Sequence, residues 1–189
     1  MGLLYIITGG SGSGKSAYAE GLAGETADRL GAGRRFYLAT MRPWDGECET
    51  RIRRHRQMRQ GKGFETVEHY GRLPQLPPFP ADSLVLLECL TNLLSNLFYD
   101  PSIRREELAD LVTEDVLRLK RQVRALVVVT NEIFSDGTVY DPETERFRQM
   151  AGRVHARLGA EADRVTEVVY GVAVPVLERE NREGGRGRG

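Results

Sequence analysis

Leu3-Leu4-Tyr5-Ile6-Ile7-Thr8 runs directly into Gly9-Gly10-Ser11-Gly12-Ser13-Gly14-Lys15-Ser16 and then into Ala17-Tyr18-Ala19-Glu20. An apolar run of strand type thus enters a glycine-rich loop, and a helix-favouring segment leaves it. Gly9, Gly14, Lys15 and Ser16 satisfy the phosphate-loop pattern G-x-x-x-x-G-K-[ST] in its required strand–loop–helix setting. Glycines let successive backbone N–H groups converge on a phosphate, and the helix N-terminus adds its dipole. Lys15 is placed to reach the β- and γ-phosphates, and the Ser16 hydroxyl to complete a Mg²⁺ shell. The competing reading is a glycine-rich linker, but linkers do not follow a buried strand and end in Gly-Lys-Ser.

Working outward, strands and helices alternate. Arg35 to Thr40 reads as a second strand, and Glu47 to Arg59 as a charged helix carrying Arg51, Arg53, Arg54, His55, Arg56 and Arg59. Phe64 to Glu68 reads as a short strand, before a proline-rich loop from Gly71 to Pro80. Ser83-Leu84-Val85-Leu86-Leu87-Glu88 and Ala125-Leu126-Val127-Val128-Val129-Thr130 are apolar almost without interruption, as suits parallel strands covered on both faces. A helix is expected from Asn92 to Tyr99. Asp100-Pro101-Ser102 has the form of a helix start for the repeat Leu108, Val112, Val116, Leu119 and Val123. Glu143 to Leu158 reads as a helix, and Arg164 to Val169 with Val172 to Val176 as two closing strands. The expectation is an α/β fold: a single phosphate-loop (P-loop) domain over residues 1–177, with a mostly parallel central sheet and helices on both faces.

The chain has 189 residues, with 27 Lys+Arg against 27 Asp+Glu. That length suits one domain, and the balanced charge gives no sign of a nucleic-acid partner or a membrane surface. No apolar stretch is long enough for membrane insertion. Cys48 and Cys89 lack metal-ligand or disulfide-framework spacing and fit reduced thiols in a cytoplasmic protein. Residues 178–189 are rich in glycine and charge and read as a disordered tail, with a weak RNA contact as the lesser alternative.

Two further constellations carry chemistry. Glu88 ends a central strand, where it would face a nucleotide crevice and hold Mg²⁺ through water, bind a hydroxyl or act as a base. A structural acid at a strand end is the alternative. Thr130-Asn131-Glu132 ends the next strand in the same way. His55 sits among arginines, either on a solvated basic face or on a face where arginines neutralise phosphates while an imidazole attacks phosphorus. Spacing alone leaves that choice open.

Several ordered segments resemble the bifunctional adenosylcobinamide kinase/adenosylcobinamide-phosphate guanylyltransferase family of cobalamin biosynthesis. They are Ile7 to Ser16 with Ala19-Glu20; Tyr37 to Thr40; Glu47, Arg51-Ile52 and His55-Arg56; Leu86 to Thr91 with Asn96-Leu97; Val129 to Glu132; and Phe147-Arg148 with Ala151 to Val154. The resemblance implies phosphorylation of the aminopropanol hydroxyl of adenosylcobinamide, with ATP or GTP as donor. GMP transfer from GTP follows, through a guanylylated histidine in the place of His55. It implies catalytic roles for His55, Lys15 and Glu88, and a metal held at Ser16 and Glu88. Nucleotide contacts are implied at Gly9, Gly10, Ser11, Gly12, Ser13, Gly14, Lys15 and Ser16. They continue at Thr40, Met41, Arg42, Arg56, Gln57, Met58, Arg59, Glu68 and Glu88. A corrinoid acceptor and a homotrimer are implied as partners. Two departures stand out: Ser11-Gly12 occupies the place of a common Ala-Arg, and Ile133 to Pro142 replaces a glycine-containing, proline-ended loop. A kinase paralogue without the guanylyl step, or a non-catalytic nucleotide-binding regulator, are the rival readings.

Overall fold

The computed structural model describes residues 2–44 and 46–179, apart from the side chains of Glu47, Arg51 and Met58. Its elements, in chain order, are β1 (Leu3–Thr8), α1 (Lys15–Leu30), β2 (Arg34–Ala39), α2 (Gly46–Met58), β3 (Phe64–Glu68), β4 (Ser83–Glu88), α3 (Leu90–Phe98), α4 (Leu108–Gln122), β5 (Ala125–Val129), α5 (Pro142–Glu161), β6 (Arg164–Val169) and β7 (Val172–Glu178). The strands form one sheet in the order β3-β2-β4-β5-β1-β6-β7. All neighbours are parallel except β6 and β7, which make an antiparallel hairpin at one edge.

The period of two along each strand sorts side chains between two helical layers. On one face, Leu84 and Leu86 of β4, Val127 of β5 and Ile7 of β1 pack with Ala19, Ala23 and Ala27 of α1. Those alanines recur every fourth residue, so α1 turns a smooth stripe to the sheet and approaches closely. On the other face, Val85, Leu87, Leu126 and Val128 pack with Leu93 and Leu97 of α3, Val112 and Val116 of α4, and Val154 and Leu158 of α5. Each such aliphatic side chain contributes about 1.5–3 kcal/mol by leaving water. The α/β fold with helices on both faces is as the sequence indicated.

Differences are confined to element ends. The helix expected from Asp100-Pro101-Ser102 begins instead at Leu108. Asp100 accepts hydrogen bonds from the Ser102 N–H (2.9 Å) and Oγ–H (2.7 Å), closing a local turn that competes with helix initiation. At α5 an Asp-Pro pair does cap a helix: Asp141 accepts from the Glu143 and Thr144 N–H groups at 2.9 and 3.1 Å, with Pro142 in the first turn. β2 stops at Ala39, leaving Thr40 just beyond it. β7 reaches Glu178, one residue into the expected tail, and the tail from residue 180 lies outside the described residues. Among the described residues, no helix is long and apolar enough to cross a membrane.

Candidate active site

The loop after β1 is shaped by glycine where a side chain could not stand. Gly9 has φ 155°, and a Cβ there would lie 2.5 Å from the Val168 carbonyl oxygen. Gly14 has φ 91° and starts α1 with no side-chain cap and no acid in the first turn. The N–H groups opening α1 are therefore not occupied by a capping side chain, the condition for receiving an anion. Lys15 is buried and its Nζ donates to the Gly10 carbonyl at 2.9 Å, folding the ammonium back over the loop. The loop is held from outside as well: the Gly171 N–H donates to Ser13 O at 2.8 Å, and the Glu132 N–H to Gly9 O at 3.0 Å.

Glu88 is the centre of the site. β4 lies two strands from β1, and its last residue reaches the loop: the Ser16 hydroxyl donates to Glu88 Oε1. The Tyr37 hydroxyl donates to Oε2 at 2.8 Å, and His55 Nδ1 lies 3.3 Å from Oε1. Only 8% of Glu88 is exposed. Burial works against its ionisation, yet the bonds from His55, Ser16 and Tyr37 outweigh burial and hold the carboxyl below its usual range. The same contacts act oppositely on Tyr37, whose phenol is raised by burial and by the Glu88 charge. A carboxylate can only accept, so the His55 proton belongs on Nδ1 and the lone pair of the neutral ring on Nε2.

Arg59, just past α2, is buried with its guanidinium 3.8 Å from the Tyr37 ring centroid, and its Nε donates to Thr66 Oγ1 at 3.2 Å. Burial of an arginine is costly without partners, and the ring face and the hydroxyl supply them. The loop, Met41, His55, Arg59, Glu68, Glu88 and Asn131 enclose a cavity of about 290 Å³. Thr40 has another task. Its N–H donates to Glu88 O (3.1 Å), its hydroxyl to Cys89 O (2.7 Å), and its carbonyl accepts from Asn96 Nδ2 (2.9 Å). It is fully buried and fixes the chain around Glu88.

Other expected residues lie around the cavity. Arg42 stands over the rings of Trp44 (5.4 Å) and Tyr70 (5.8 Å). Arg56 is exposed and pairs with Glu68, whose carboxyl is lowered chiefly by that bond. Gln57 is exposed on α2, and the Met58 side chain is outside the described residues. Tyr37 and Asn131 line the cavity too; a hydroxyl-bearing aromatic on an inner strand was the available signal for Tyr37. Behind Asn131, its N–H donates to Thr91 Oγ1 (2.9 Å), which meets Thr130 Oγ1 (3.0 Å), which meets His155 Nε2 (2.8 Å). Burial lowers His155 to about 4, so it is neutral.

Comparison with known proteins gives a family described as cobinamide kinase / cobinamide phosphate guanyltransferase, matching residues 5–176. The chain belongs to this family. The cobinamide kinase family member of Escherichia coli K12, bifunctional adenosylcobalamin biosynthesis protein CobU, is 32% identical, over 92% of this chain and 99% of that protein. CobU of Salmonella typhimurium LT2 is 31% identical with the same coverage. CobP of Pseudomonas aeruginosa PAO1 is 29% identical, over 90% of this chain and 95% of that protein. Among solved structures, an ATPase domain is similar with a TM-score of 0.47 and 11% identity, over 87% of this chain and 68% of that one. Membership of the cobinamide kinase family makes the chain an enzyme of phosphate-group transfer. A divalent cation fits the oxygens present, since the Ser16 hydroxyl and a Glu88 carboxylate oxygen already meet. Hard, oxygen-only ligation suits Mg²⁺, which takes few protein ligands beside phosphate and water.

Proposed function

We propose that the chain phosphorylates the aminopropanol hydroxyl of a cobinamide acceptor and then transfers GMP to that phosphate through His55. The observation that carries this reading is the contact of one buried carboxylate, Glu88, with both the phosphate-loop Ser16 and the α2 histidine.

In the first reaction, Lys15 and the N–H groups opening α1 bind the triphosphate tail. A bound Mg²⁺, held by Ser16 and by Glu88 through water, would neutralise charge on the phosphate oxygens. Glu88, ionised because its pKa is lowered, accepts a hydrogen bond from the acceptor hydroxyl and orients it. The acceptor O–P bond forms as the β–γ bridging bond breaks, the nucleoside diphosphate leaves, and the hydroxyl proton passes to Glu88. A weak base suffices, because phosphoryl transfer depends more on in-line position and charge stabilisation than on early deprotonation.

In the second reaction, Glu88 holds the Nδ1–H of His55, which leaves Nε2 as the nucleophile. Nε2 bonds to the α-phosphorus of GTP and pyrophosphate departs. A phosphate oxygen of the phosphorylated acceptor then attacks that phosphorus, and the P–N bond breaks. Arg59 is fixed on Tyr37 and faces the phosphates without having to be ordered at the moment of reaction. Family resemblance supports a homotrimer, and the reduced-thiol reading of Cys48 and Cys89 supports a cytoplasmic setting.

The test uses GTP labelled at the α-phosphate. An acid-labile, alkali-stable protein adduct is expected, absent in His55→Ala. No adduct on the wild type, or an adduct persisting in the variant, rejects the histidine intermediate.

A further inference from the structure

The β6–β7 hairpin turns at Tyr170-Gly171, directly beside the phosphate loop. The Gly171 N–H donates to Ser13 O at 2.8 Å, and a Cβ on Gly14 would stand 3.4 Å from Gly171 Cα. Tyr170 is therefore next in the chain to a residue that touches the loop. It is 97% exposed and has φ 49°, the one positive φ at a non-glycine among the described residues. Val169 and Val172 beside it are 40% and 63% exposed. The ring buries nothing, and although a two-residue hairpin turn calls for positive φ at both Tyr170 and Gly171, glycine or asparagine rather than tyrosine is the residue such a turn favours. The turn accounts for the backbone but not for a bare aromatic side chain, and the exposed ring points to a use outside folding.

The strand order says what that use is. β1 lies between β5 and β6, so His55, which reaches Glu88 at the end of β4, stands on one side of the loop and the hairpin tip on the other. An acceptor hydroxyl oriented by Glu88 attacks the γ-phosphorus from the His55 side. In-line displacement then places the departing diphosphate, with its nucleoside, toward the opposite side. That side ends at the hairpin tip, whose Gly171 meets the loop and whose exposed aromatic is Tyr170.

We propose that the β6–β7 hairpin tip is a base-stacking platform, on which the purine of the phosphoryl-donating nucleoside triphosphate lies against Tyr170. The proposal rests on the kinase half of the reading above. Tyrosine offers a π-face to any base with few rotors to order, and it gives affinity without base selectivity. Both ATP and GTP then serve as phosphoryl donors on this platform.

The test is titration calorimetry with Mg²⁺ and two probes, β,γ-imido-ATP and inorganic tripolyphosphate, on wild type, Tyr170→Ala and Tyr170→Phe. Tyr170→Ala is expected to weaken imido-ATP about tenfold and to leave tripolyphosphate unchanged, with Tyr170→Phe within about twofold of wild type. Equal imido-ATP affinity in Tyr170→Ala overturns the platform. So does a parallel loss of tripolyphosphate, which would mean a disturbed loop. An affinity loss that tracks a change of mass in light scattering also overturns it, by making the tip a contact between copies. A wild type that binds imido-ATP through Tyr170 but transfers no phosphoryl group rejects the kinase reading and leaves the platform standing.

Discussion

Tyr37→Phe isolates the electrostatics of Glu88. The substitution removes one hydroxyl and keeps the ring on which the Arg59 guanidinium rests at 3.8 Å. What is lost is the 2.8 Å bond to Glu88 Oε2, one of three contacts that offset the burial of that carboxylate. A hydrogen bond to a charged, buried group is worth about 1.5–3 kcal/mol, so a loss of about 2 kcal/mol is expected at pH 7.5. The pH dependence gives the sharper check. A carboxyl held low in the folded state stabilises the protein above its unfolded pKa, and that stability disappears as pH falls through the folded value. Tyr37→Phe raises the folded value toward the ordinary range, so its deficit shrinks as Glu88 becomes protonated in both proteins. Urea denaturation of both proteins from pH 7.5 down through the carboxylate range to about pH 2.5 measures this. A deficit independent of pH would refute the argument, because it would assign the loss to packing. In kinase assays the acid limb of the Tyr37→Phe profile is expected to move to higher pH.

Lys62→Ala removes the cation that meets Glu20 on α1 at 2.5 Å. Glu20 has no exposed side-chain surface, whereas Lys62 is 41% exposed, so the cost is discounted to about 2 kcal/mol. Because Lys62 closes the loop after α2, slower His55 labelling by GTP is expected along with the lower denaturation midpoint. His155 titrates at about 4 when folded against about 6.5 unfolded, so the unfolded chain binds the extra proton between those values. Stability from this group is intact at pH 7.5 and falls by about 2 kcal/mol on going from pH 6.5 to pH 5. His155→Asn, which does not titrate, is expected to flatten that slope in denaturation curves, and an unchanged slope would contradict the assignment.

The parts of the fold that were legible in the sequence are those specified by neighbours in the chain. The step from β1 through the glycine loop to α1 is one, and the uninterrupted apolar runs of β4 and β5 are others. The start of α4 was misplaced for a local reason, since Asp100-Pro101-Ser102 satisfies its own turn as readily as it would cap a helix. The site was legible as a set of residues and not as a geometry. Glu88 and His55 are 33 positions apart, and their contact depends on the place of β4 in the sheet and on the lie of α2. Tyr37 gained its role only once β2 paired with β4, Tyr37 beside Leu86, which brings its hydroxyl to Glu88. Arg59 was expected at the phosphates by resemblance, but its burial was not legible, because the ring that covers it comes from a strand 22 residues earlier. The closeness of Gly171 to Ser13 spans nearly the whole chain, and no local pattern announces it.

The departure at Ser11-Gly12 has a structural consequence. Where the family resemblance implies an arginine in the loop, this chain has Gly12 at φ 72° with open space around it. The loop's own cation is then Lys15, and the cavity's further positive charge comes from Arg54 on α2 and Arg59 just beyond it. Phosphate neutralisation and the histidine are therefore carried by the same stretch of chain. A loop arginine would bind phosphate wherever α2 lay. Here the two functions are tied, so a change that loosens α2 without touching the cavity weakens nucleotide binding and His55 labelling together. Lys62→Ala is such a change. If it slowed labelling while nucleotide affinity stayed at the wild-type value, Lys15 and the open α1 amides would be holding the phosphates without α2.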